Sequence, residues 1–251
     1  MNVRLLLEYD GSSFCGWQFQ PSQRSVQGVL QSALLRVTGE DTAVHGSGRT
    51  DAGVHALGQV ASFVTESGIP PDRFKPAINR LLPPDVRVLS SAQVPDDFHA
   101  RYSALSKTYM YKVVQADVTP PLLRDRAWAV RQSLDLEAMR AALATLLGTH
   151  DFRAFCRSGS SVARTVRTIT QAELRVEPDQ GTIELWVSAD GFLYNMVRII
   201  AATAIRVGMG KLPVDVFVSA IATGLRSLLP YTAPPQGLYL ASVRYEPEAS
   251  K

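Results

Sequence analysis

The sequence has few of the features that mark disulfide-rich, metal-binding or membrane-spanning proteins. Among 251 residues there are two cysteines, Cys15 and Cys156, and neither lies in a CxxC motif or a Cys/His cluster. Neither a disulfide framework nor a zinc site is therefore expected. No apolar run approaches the roughly 18 residues of a membrane span. Glu8 interrupts the apolar stretch near the N-terminus, where a signal peptide would continue it, so we expect a cytoplasmic protein.

Acidic residues are missing from three stretches that contain several basic ones. The formal net charge is only +3, but residues 98–116, 152–172 and 191–214 hold lysines and arginines and no aspartate or glutamate. Such stretches suit a polyanion such as nucleic acid. A charge run is more often an ordinary solvated face, so charge alone leaves both interpretations open.

Hydrophobic periodicity predicts strands and helices in both halves of a chain that is 46% apolar. Helical spacing occurs at 26–38, 71–82, 135–147, 193–207 and 213–223. Strand patterns occur at 3–9, 54–65, 85–94, 106–115, 165–177, 182–189 and 237–245. Ser25 is placed to cap the first helix, and the glycines placed to end helices are Gly39, Gly148, Gly208 and Gly224.

The order of these elements predicts the fold class. Because strict βαβ alternation is absent, we expect an α+β fold built on antiparallel mixed sheets. The two halves contain a similar mixture of elements, which predicts domains at 1–103 and 104–251. Residues 148–165 show no clean period, and their Ser/Gly-rich centre at 156–163 is typical of a mobile loop.

The segment HGSGRTDAGVHALGQ, residues 45–59, places Asp51 two residues after Arg49 in a glycine-rich loop. It lacks the GxxxxGKS or GxxxxGKT pattern of a P-loop and the GxSxG pattern of a serine nucleophile. His55 follows Asp51 by four residues, but no third metal ligand is near. Two interpretations remain: a turn aspartate bonded to its own backbone, or a carboxylate kept ionised by a cation and able to act as nucleophile or base.

Five further segments join this loop in one ordered set that covers nearly the whole chain. They are YDGSSFCGWQFQP with SVQGVLQSAL within 9–34, FHARYSALSKTYMYKV at 98–113, HDFRAF at 150–155, DGFLYNMVR at 190–198 and APPQGLYL at 233–240. Together with GSGRTDAGVHALGQ they resemble, in the same order, the signature blocks of the tRNA pseudouridine synthase A family. The resemblance implies the pseudouridine synthase fold, with two similar halves and a central RNA-binding cleft.

The resemblance also implies an activity. Members of the family isomerise uridine to pseudouridine at positions 38, 39 and 40 in the anticodon stem-loop of tRNAs. The base leaves its glycosidic nitrogen, turns and reattaches through carbon, so nothing is oxidised or added and no cofactor or metal is expected. The implied partners are tRNA and a second copy of the chain in a homodimer.

Individual residues match functional positions of the family. Asp51 matches the catalytic aspartate, which either attacks the anomeric carbon of the sugar or removes a proton from the neighbouring carbon. Tyr109 matches the tyrosine that stacks on the target uracil, and Arg198 an arginine that pairs with the aspartate and keeps it charged. Arg49 matches a residue that helps to displace the base, and Leu238 one that lines the uracil pocket. The candidates for phosphate contact are Arg101, Lys107, Arg153, Arg157, Arg164 and Arg167.

Two other classes of function stay open on the residues alone. One is a non-catalytic RNA-binding protein built from two β-rich halves. The other is a hydrolase or glycosidase that uses Asp51 with a second carboxylate about 5–5.5 Å away. The conceivable partners for such a pair are Glu8, Asp10 and Asp190.

Overall fold

The last strand of the chain groups with the first hundred residues. The computed structural model describes residues 1–156, 164–177 and 181–246. One unit comprises Met1–Leu105 and the chain from Tyr239 onward, and the other comprises Ser106–Leu238. The domain prediction divided the chain between residues 103 and 104 and left the last strand with the second half. In the structure the unit changes after Leu105, and the chain from Tyr239 onward belongs to the first unit, where it pairs with a strand.

The elements of the described residues combine strands and helices, which agrees with the predicted α+β class. The strands are β1 (Asn2–Tyr9), β2 (His45–Gly46), β3 (His55–Val64), β4 (Val86–Val94), β5 (Ser106–Gln115), β6 (Trp128–Val130), β7 (Gly148–Asp151), β8 (Val166–Glu177), β9 (Thr182–Ala189) and β10 (Leu238–Arg244). The α-helices are α1 (Val26–Thr38), α2 (Phe74–Asn79), α3 (Leu136–Ala144), α4 (Met196–Gly208) and α5 (Val216–Thr223). None of these helices is long and apolar enough to cross a membrane.

The first unit is built on a sheet in the order β4-β1-β3-β10. Strand β1 is antiparallel to both of its neighbours, with Leu5 opposite Ala61 on one side and Ser91 on the other. Strand β10 is parallel to β3, and the short β2 pairs with β3 opposite Ala61 and Ser62. The buried positions of β1 and β3 are mainly apolar, so this sheet carries the core of the unit.

The second unit is built on a sheet in the order β5-β9-β8-β7, with β6 parallel to β5. The strands predicted at 165–177 and 182–189 are present as β8 and β9, which form an antiparallel pair from Ile169 opposite Ala189 to Glu177 opposite Thr182. Helix α4 is buried along nearly its whole length and packs against α3. Strand β6 was not predicted, because three residues are too few to show an alternating pattern.

Local signals determine the limits of α1, which agree with the predicted helix at 26–38. The Ser25 side chain accepts a hydrogen bond from the Gly28 N–H at 3.2 Å, as an N-cap residue does. At the other end Gly39 adopts a left-handed conformation with φ of 77°, and its N–H donates to the Leu35 carbonyl. The helix buries Leu30 and Leu34 on its inner face.

The prediction that Gly148 ends a helix is wrong. Helix α3 ends at Ala144, where the hydroxyl of Thr145 donates to the Ala142 carbonyl at 2.7 Å and closes the last turn. Gly148, with φ of +102°, begins β7 instead. The segment predicted to be irregular thus starts with a strand, which pairs with β8. Of the mobile loop predicted at 156–163, residues 157–163 lie outside the described residues, and Cys156 is buried.

We expect Ser25→Ala to destabilise the protein by about 1 kcal/mol, because the first turn of α1 loses its cap. The control is Ser32→Ala, which removes an exposed hydroxyl from the interior of the same helix and is expected to change stability by less than about 0.5 kcal/mol. Urea unfolding of the three proteins measures both effects. Equal stability of the two variants would show that the cap contributes nothing.

Candidate active site

The loop of residues 47–54, which carries Asp51, lies against the chain that follows β1. The Trp17 N–H donates to the Thr50 carbonyl at 3.0 Å, and Gly16 forms an isolated antiparallel bridge with Asp51. Gly16 has φ of +111°, and a Cβ there would lie 2.5 Å from the Thr50 oxygen. Only glycine permits this approach of two backbones.

The far end of the loop is fixed in the same way. The Val54 N–H donates to the Asp51 carbonyl at 3.1 Å, which closes a tight turn with Gly53 at φ of +77°. A Cβ on Gly11 would lie 2.0 Å from the Val54 oxygen, so the two chains touch. The Gly11 N–H also donates to Nδ1 of His55 at 3.0 Å. His55 is thus a buried structural residue that supports the turn.

A buried polar network holds the middle of the loop. The amide of Gln59, fully buried in β3, accepts from the Ser47 hydroxyl at 2.6 Å and donates to the Gly48 carbonyl at 3.0 Å. It also donates to the Tyr9 hydroxyl at 3.4 Å, and that hydroxyl shares a 2.8 Å hydrogen bond with Oγ1 of Thr50. Burial raises the pKa of Tyr9 to about 12, so its phenol stays neutral and able to donate.

This network determines which side chains of the loop are buried and which are exposed. Ser47 and Thr50 are buried, while Arg49 between them is exposed and Asp51 is half-buried. Asp51 and Arg49 are therefore held on a rigid backbone. Both neighbours of Arg49, Gly48 and Thr50, are hydrogen-bonded to the buried network. A fixed carboxylate of this kind is able to act on a bound molecule without first being ordered.

Asp10, one conceivable partner of Asp51 in a carboxylate pair, has other contacts. Its Oδ1 accepts from the N–H and the hydroxyl of Ser12 at 3.0 and 2.6 Å, and it lies 3.2 Å from Nδ1 of His55. The ring of His55 stacks on Tyr239 with centroids 4.6 Å apart. Asp10 therefore caps a turn. Within the described residues, no group of three or more His, Cys, Asp and Glu side chains is arranged to hold a metal ion.

In the second unit, β5 places Tyr109 and Tyr111 on one face, and their surroundings differ. Tyr111 is fully buried, donates to the Pro234 carbonyl at 2.8 Å and meets Trp128 edge to face, so it belongs to the core. Burial raises the pKa of the Tyr111 phenol. Tyr109 is packed at 86° against Phe192, with ring centroids 5.1 Å apart.

Arg198 is held in the first turn of α4 and is not a solvated surface arginine. Its Nε donates to the Ala233 carbonyl at 2.7 Å, and its Nη1 donates to Oδ1 of Asn195 at 3.1 Å. The Ala233 N–H returns a hydrogen bond to the Arg198 carbonyl at 3.0 Å. Helix α4 is therefore tied to the segment that leads into β10, whose first residue, Leu238, is buried.

Comparison with known proteins agrees with the ordered sequence blocks. A sequence model of the family described as tRNA pseudouridine synthase matches residues 6–103 and 142–246. The chain belongs to the tRNA pseudouridine synthase family. The match includes Arg49, Asp51, Arg198 and Leu238, whereas the whole of β5, with Lys107 and Tyr109, lies in the unmatched stretch between residues 103 and 142.

Curated relatives match over nearly their full length. The tRNA pseudouridine synthase A of Acetivibrio thermocellus is 47% identical over 244 residues, which cover 97% of this chain and 99% of the relative. That of Ruminiclostridium cellulolyticum is 47% identical over 243 residues, with the same coverage. A chain in the crystal structure of a Cbf5-Nop10-Gar1 complex is 12% identical, with a TM-score of 0.32 and coverage of 92% of this chain and 68% of that one. A TM-score this low carries no conclusion.

The basic residues predicted to contact phosphate differ in their surroundings. Arg153 is ion-paired with Asp151, and hydrogen bonds from Thr165 and then from Arg153 lower the pKa of that carboxyl. Nη1 of Arg167 donates to the carbonyls of Val166 and Arg164 at 2.6 and 2.9 Å. Arg101 and Arg164 are exposed and Lys107 is half-buried. Arg157 lies outside the described residues.

The residues that support the loop of Asp51 were not identified from the sequence. Gln59 lies in a strand whose other buried positions are mostly apolar, and a polar residue there signals a hydrogen-bonded role. A buried polar residue does not by itself indicate its hydrogen-bond partners. Those of Gln59 include Tyr9 and Ser47, which belong to other segments of the chain.

Replacing Gln59 by Leu removes a buried amide while keeping its approximate size. We expect a loss of about 1–3 kcal/mol in the free energy of unfolding, because the Ser47 hydroxyl and the Gly48 carbonyl lose their partner. Gln93→Leu, an exposed change in β4, is the control, with an expected effect within about 0.5 kcal/mol. Urea unfolding decides between them, and a Gln59→Leu protein as stable as wild type would contradict the network.

Proposed function

We propose that this protein isomerises uridine to pseudouridine in tRNA, at positions 38, 39 and 40 of the anticodon stem-loop. The observation that carries the proposal is the loop of Asp51, which lies in the family match and is held by buried contacts on both sides. The near-full-length relatives are named tRNA pseudouridine synthase A, which supports the formation of pseudouridine in tRNA. The protein is thus an isomerase, and the uracil that leaves the sugar is the one that returns to it.

Bond changes in this reaction balance without an outside reagent. The bond between uracil N1 and the sugar C1′ breaks, and a bond between uracil C5 and C1′ forms. The proton on C5 is lost to solvent and N1 takes up a proton. No electron is gained or lost, so the chain's own side chains suffice.

Asp51 is assigned the covalent or proton-transfer step. Its carboxylate attacks C1′ and displaces uracil, or it removes the proton from C2′. Both routes need a carboxylate at a fixed place, and the anchored loop holds the backbone of Asp51 in place. Arg198 is assigned the part of keeping the reacting carboxylate ionised. Its hydrogen bonds to Asn195 and Ala233 hold the guanidinium in one orientation.

The remaining site residues handle the base. Turning a stacked or paired uridine out of the stem costs a few kcal/mol. We assign Arg49, exposed on the rigid loop, to taking the place of the displaced base. Tyr109 is assigned to stacking on the detached uracil, an interaction worth about 1–3 kcal/mol per base. Leu238 is assigned to the apolar wall of the uracil pocket.

Recognition of the tRNA is assigned to its backbone. Phosphate contacts fix the position of a nucleic acid without reading its sequence, which suits an enzyme that acts on neighbouring sites in many tRNAs. The residues assigned to these contacts are Arg101, Lys107, Arg153, Arg157, Arg164 and Arg167. For Arg153 this means sharing its guanidinium with Asp151. We further propose that the enzyme acts as a homodimer in the cytoplasm, where its tRNA substrates are found.

The decisive assay uses unmodified tRNA that carries tritium at uracil C5 and measures tritium released to water. We expect release by wild type without added cofactor. Asp51→Asn is expected to lower the rate by at least about 10²–10⁴-fold, the range for losing a catalytic acid or base. Asp72→Asn, an exposed change, is expected to leave the rate unchanged.

Other outcomes identify the rival functions. Tight tRNA binding by wild type without release of tritium would indicate a non-catalytic RNA-binding protein. Appearance of free uracil would indicate a glycosidase. Absence of release from every tRNA with uridine at positions 38 to 40 would overturn the proposal.

A further inference from the structure

Three aromatic rings of the first unit stack on its surface, and none of them has a part in the chemistry assigned above. The rings of His45 and His99 have centroids 4.7 Å apart, and those of His99 and Tyr102 are 4.4 Å apart. The planes are tilted by 35° and 37°, so neighbouring rings are in contact without being parallel. We call His45, His99 and Tyr102 the ring stack.

The outer ring of the stack is open to solvent. Tyr102 is 77% exposed, more than any other phenylalanine, tyrosine or tryptophan among the described residues. Its ring contacts His99 at a centroid distance of 4.4 Å, and most of the side chain remains open to solvent. An exposed tyrosine on a mobile turn would not indicate a binding role. The role proposed for Tyr102 therefore depends on whether the turn that carries it is held in place.

Hydrogen bonds on several sides hold the turn that carries Tyr102. The His99 N–H donates to the Ser103 hydroxyl at 3.0 Å, and the Ser103 N–H returns to the His99 carbonyl at 2.9 Å. The Ala100 N–H donates to Oγ of Ser62 at 3.1 Å, and the Tyr245 hydroxyl donates to the Ala100 carbonyl at 2.6 Å. The backbone that carries the exposed ring of Tyr102 is therefore held in place.

The same turn sets the charge beside the ring. Nδ1 of His99 accepts from the Arg101 N–H at 3.1 Å, which favours the neutral ring with its proton on Nε2. Burial, then His45 and Arg101, lower the pKa of His99. The Arg101 guanidinium lies 5.6 Å over the ring of Tyr102. A neutral aromatic face next to a permanent cation is the combination that binds an unpaired base and its phosphate.

The stack is attached to the strand that supports the catalytic loop. His45 begins β2 and pairs opposite Ser62 of β3, and Ser62 also anchors Ala100. Gln59, three residues before Ser62 in the same strand, holds the loop of Asp51. A base bound on the ring stack would thus be fixed relative to the reacting carboxylate.

We propose that the ring stack of His45, His99 and Tyr102 binds one unpaired tRNA base other than the reacting uridine, with Arg101 on an adjacent phosphate. The inference rests on the proposed function in taking tRNA as the substrate. It adds a second point of contact, which helps to determine which uridine reaches Asp51. An apolar protein partner fits less well, because the ring is bordered by Arg101 and two histidines.

The test measures tRNA affinity in the Asp51→Asn background, where binding proceeds without turnover. We expect Tyr102→Ala to raise the Kd of unmodified tRNA about 5- to 150-fold, the equivalent of one lost stacking contact. The slope of log Kd against log salt should not change, because no phosphate contact is removed. Arg101→Gln should reduce that slope by about one. Tyr102→Phe keeps the ring and should bind within about twofold of the parent.

Two further variants separate stacking from simple apolar contact and from loss of fold. Tyr102→Leu keeps apolar bulk without an aromatic face, and affinity equal to the parent would overturn the proposal. Leu122→Ala removes a side chain that is 85% exposed and should leave the Kd unchanged. Urea unfolding midpoints of all variants should agree with the parent, because Tyr102 is mostly outside the core.

The result for wild type distinguishes the two proposals. If wild type releases tritium and Tyr102→Ala binds tRNA as the parent does, only the ring-stack proposal fails. If wild type neither binds tRNA nor releases tritium, the proposed function fails and the ring-stack proposal falls with it.

Discussion

The buried amide of Gln59 is the interaction on which the site in the first unit depends. A loop with glycines at 46, 48 and 53 has high conformational entropy, and an aspartate on such a loop would sample many positions. Gln59 removes that freedom by binding the Ser47 and Tyr9 hydroxyls, which are buried, and the Gly48 carbonyl, which is partly buried. An unmet hydrogen bond there costs more than one exposed to solvent. The sheet thus determines where Asp51 lies.

In the second unit, the residues assigned to function lie beside or within hydrogen-bonded contacts of the same kind. Tyr111 fills the core and fixes the Pro234 segment through its hydroxyl, while Arg198 exchanges hydrogen bonds with Ala233 on the same segment. Tyr109, two residues before Tyr111 in the same strand, packs edge-on against Phe192. In each unit, core residues are neighbours in sequence of the residues assigned to function.

The features of the fold and of the site that depend on local sequence signals could be predicted. Those that depend on tertiary contacts could not. The limits of α1 follow from Ser25 and Gly39, which act on adjacent backbone, and the ordered blocks were enough to identify the family. The prediction that Gly148 ends α3 was wrong, because the Thr145 hydroxyl closes the last turn of the helix three residues earlier. The network of Gln59 and the ring stack were missed because their members come from separate elements. Composition also gave no sign that Arg153 is paired with Asp151.

Amide hydrogen exchange tests most directly whether the sheet holds the Asp51 loop rigid. The informative amides are those of Trp17, which donates to Thr50, and Ser47, which donates to the Val60 carbonyl at 2.7 Å. Local opening exposes such amides at a free energy that measures the stability of the loop. We predict protection close to that of Leu5 in the centre of β1. Exchange as fast as that of the exposed Val118 amide would contradict the account, because it would mean that Asp51 moves freely before any substrate binds.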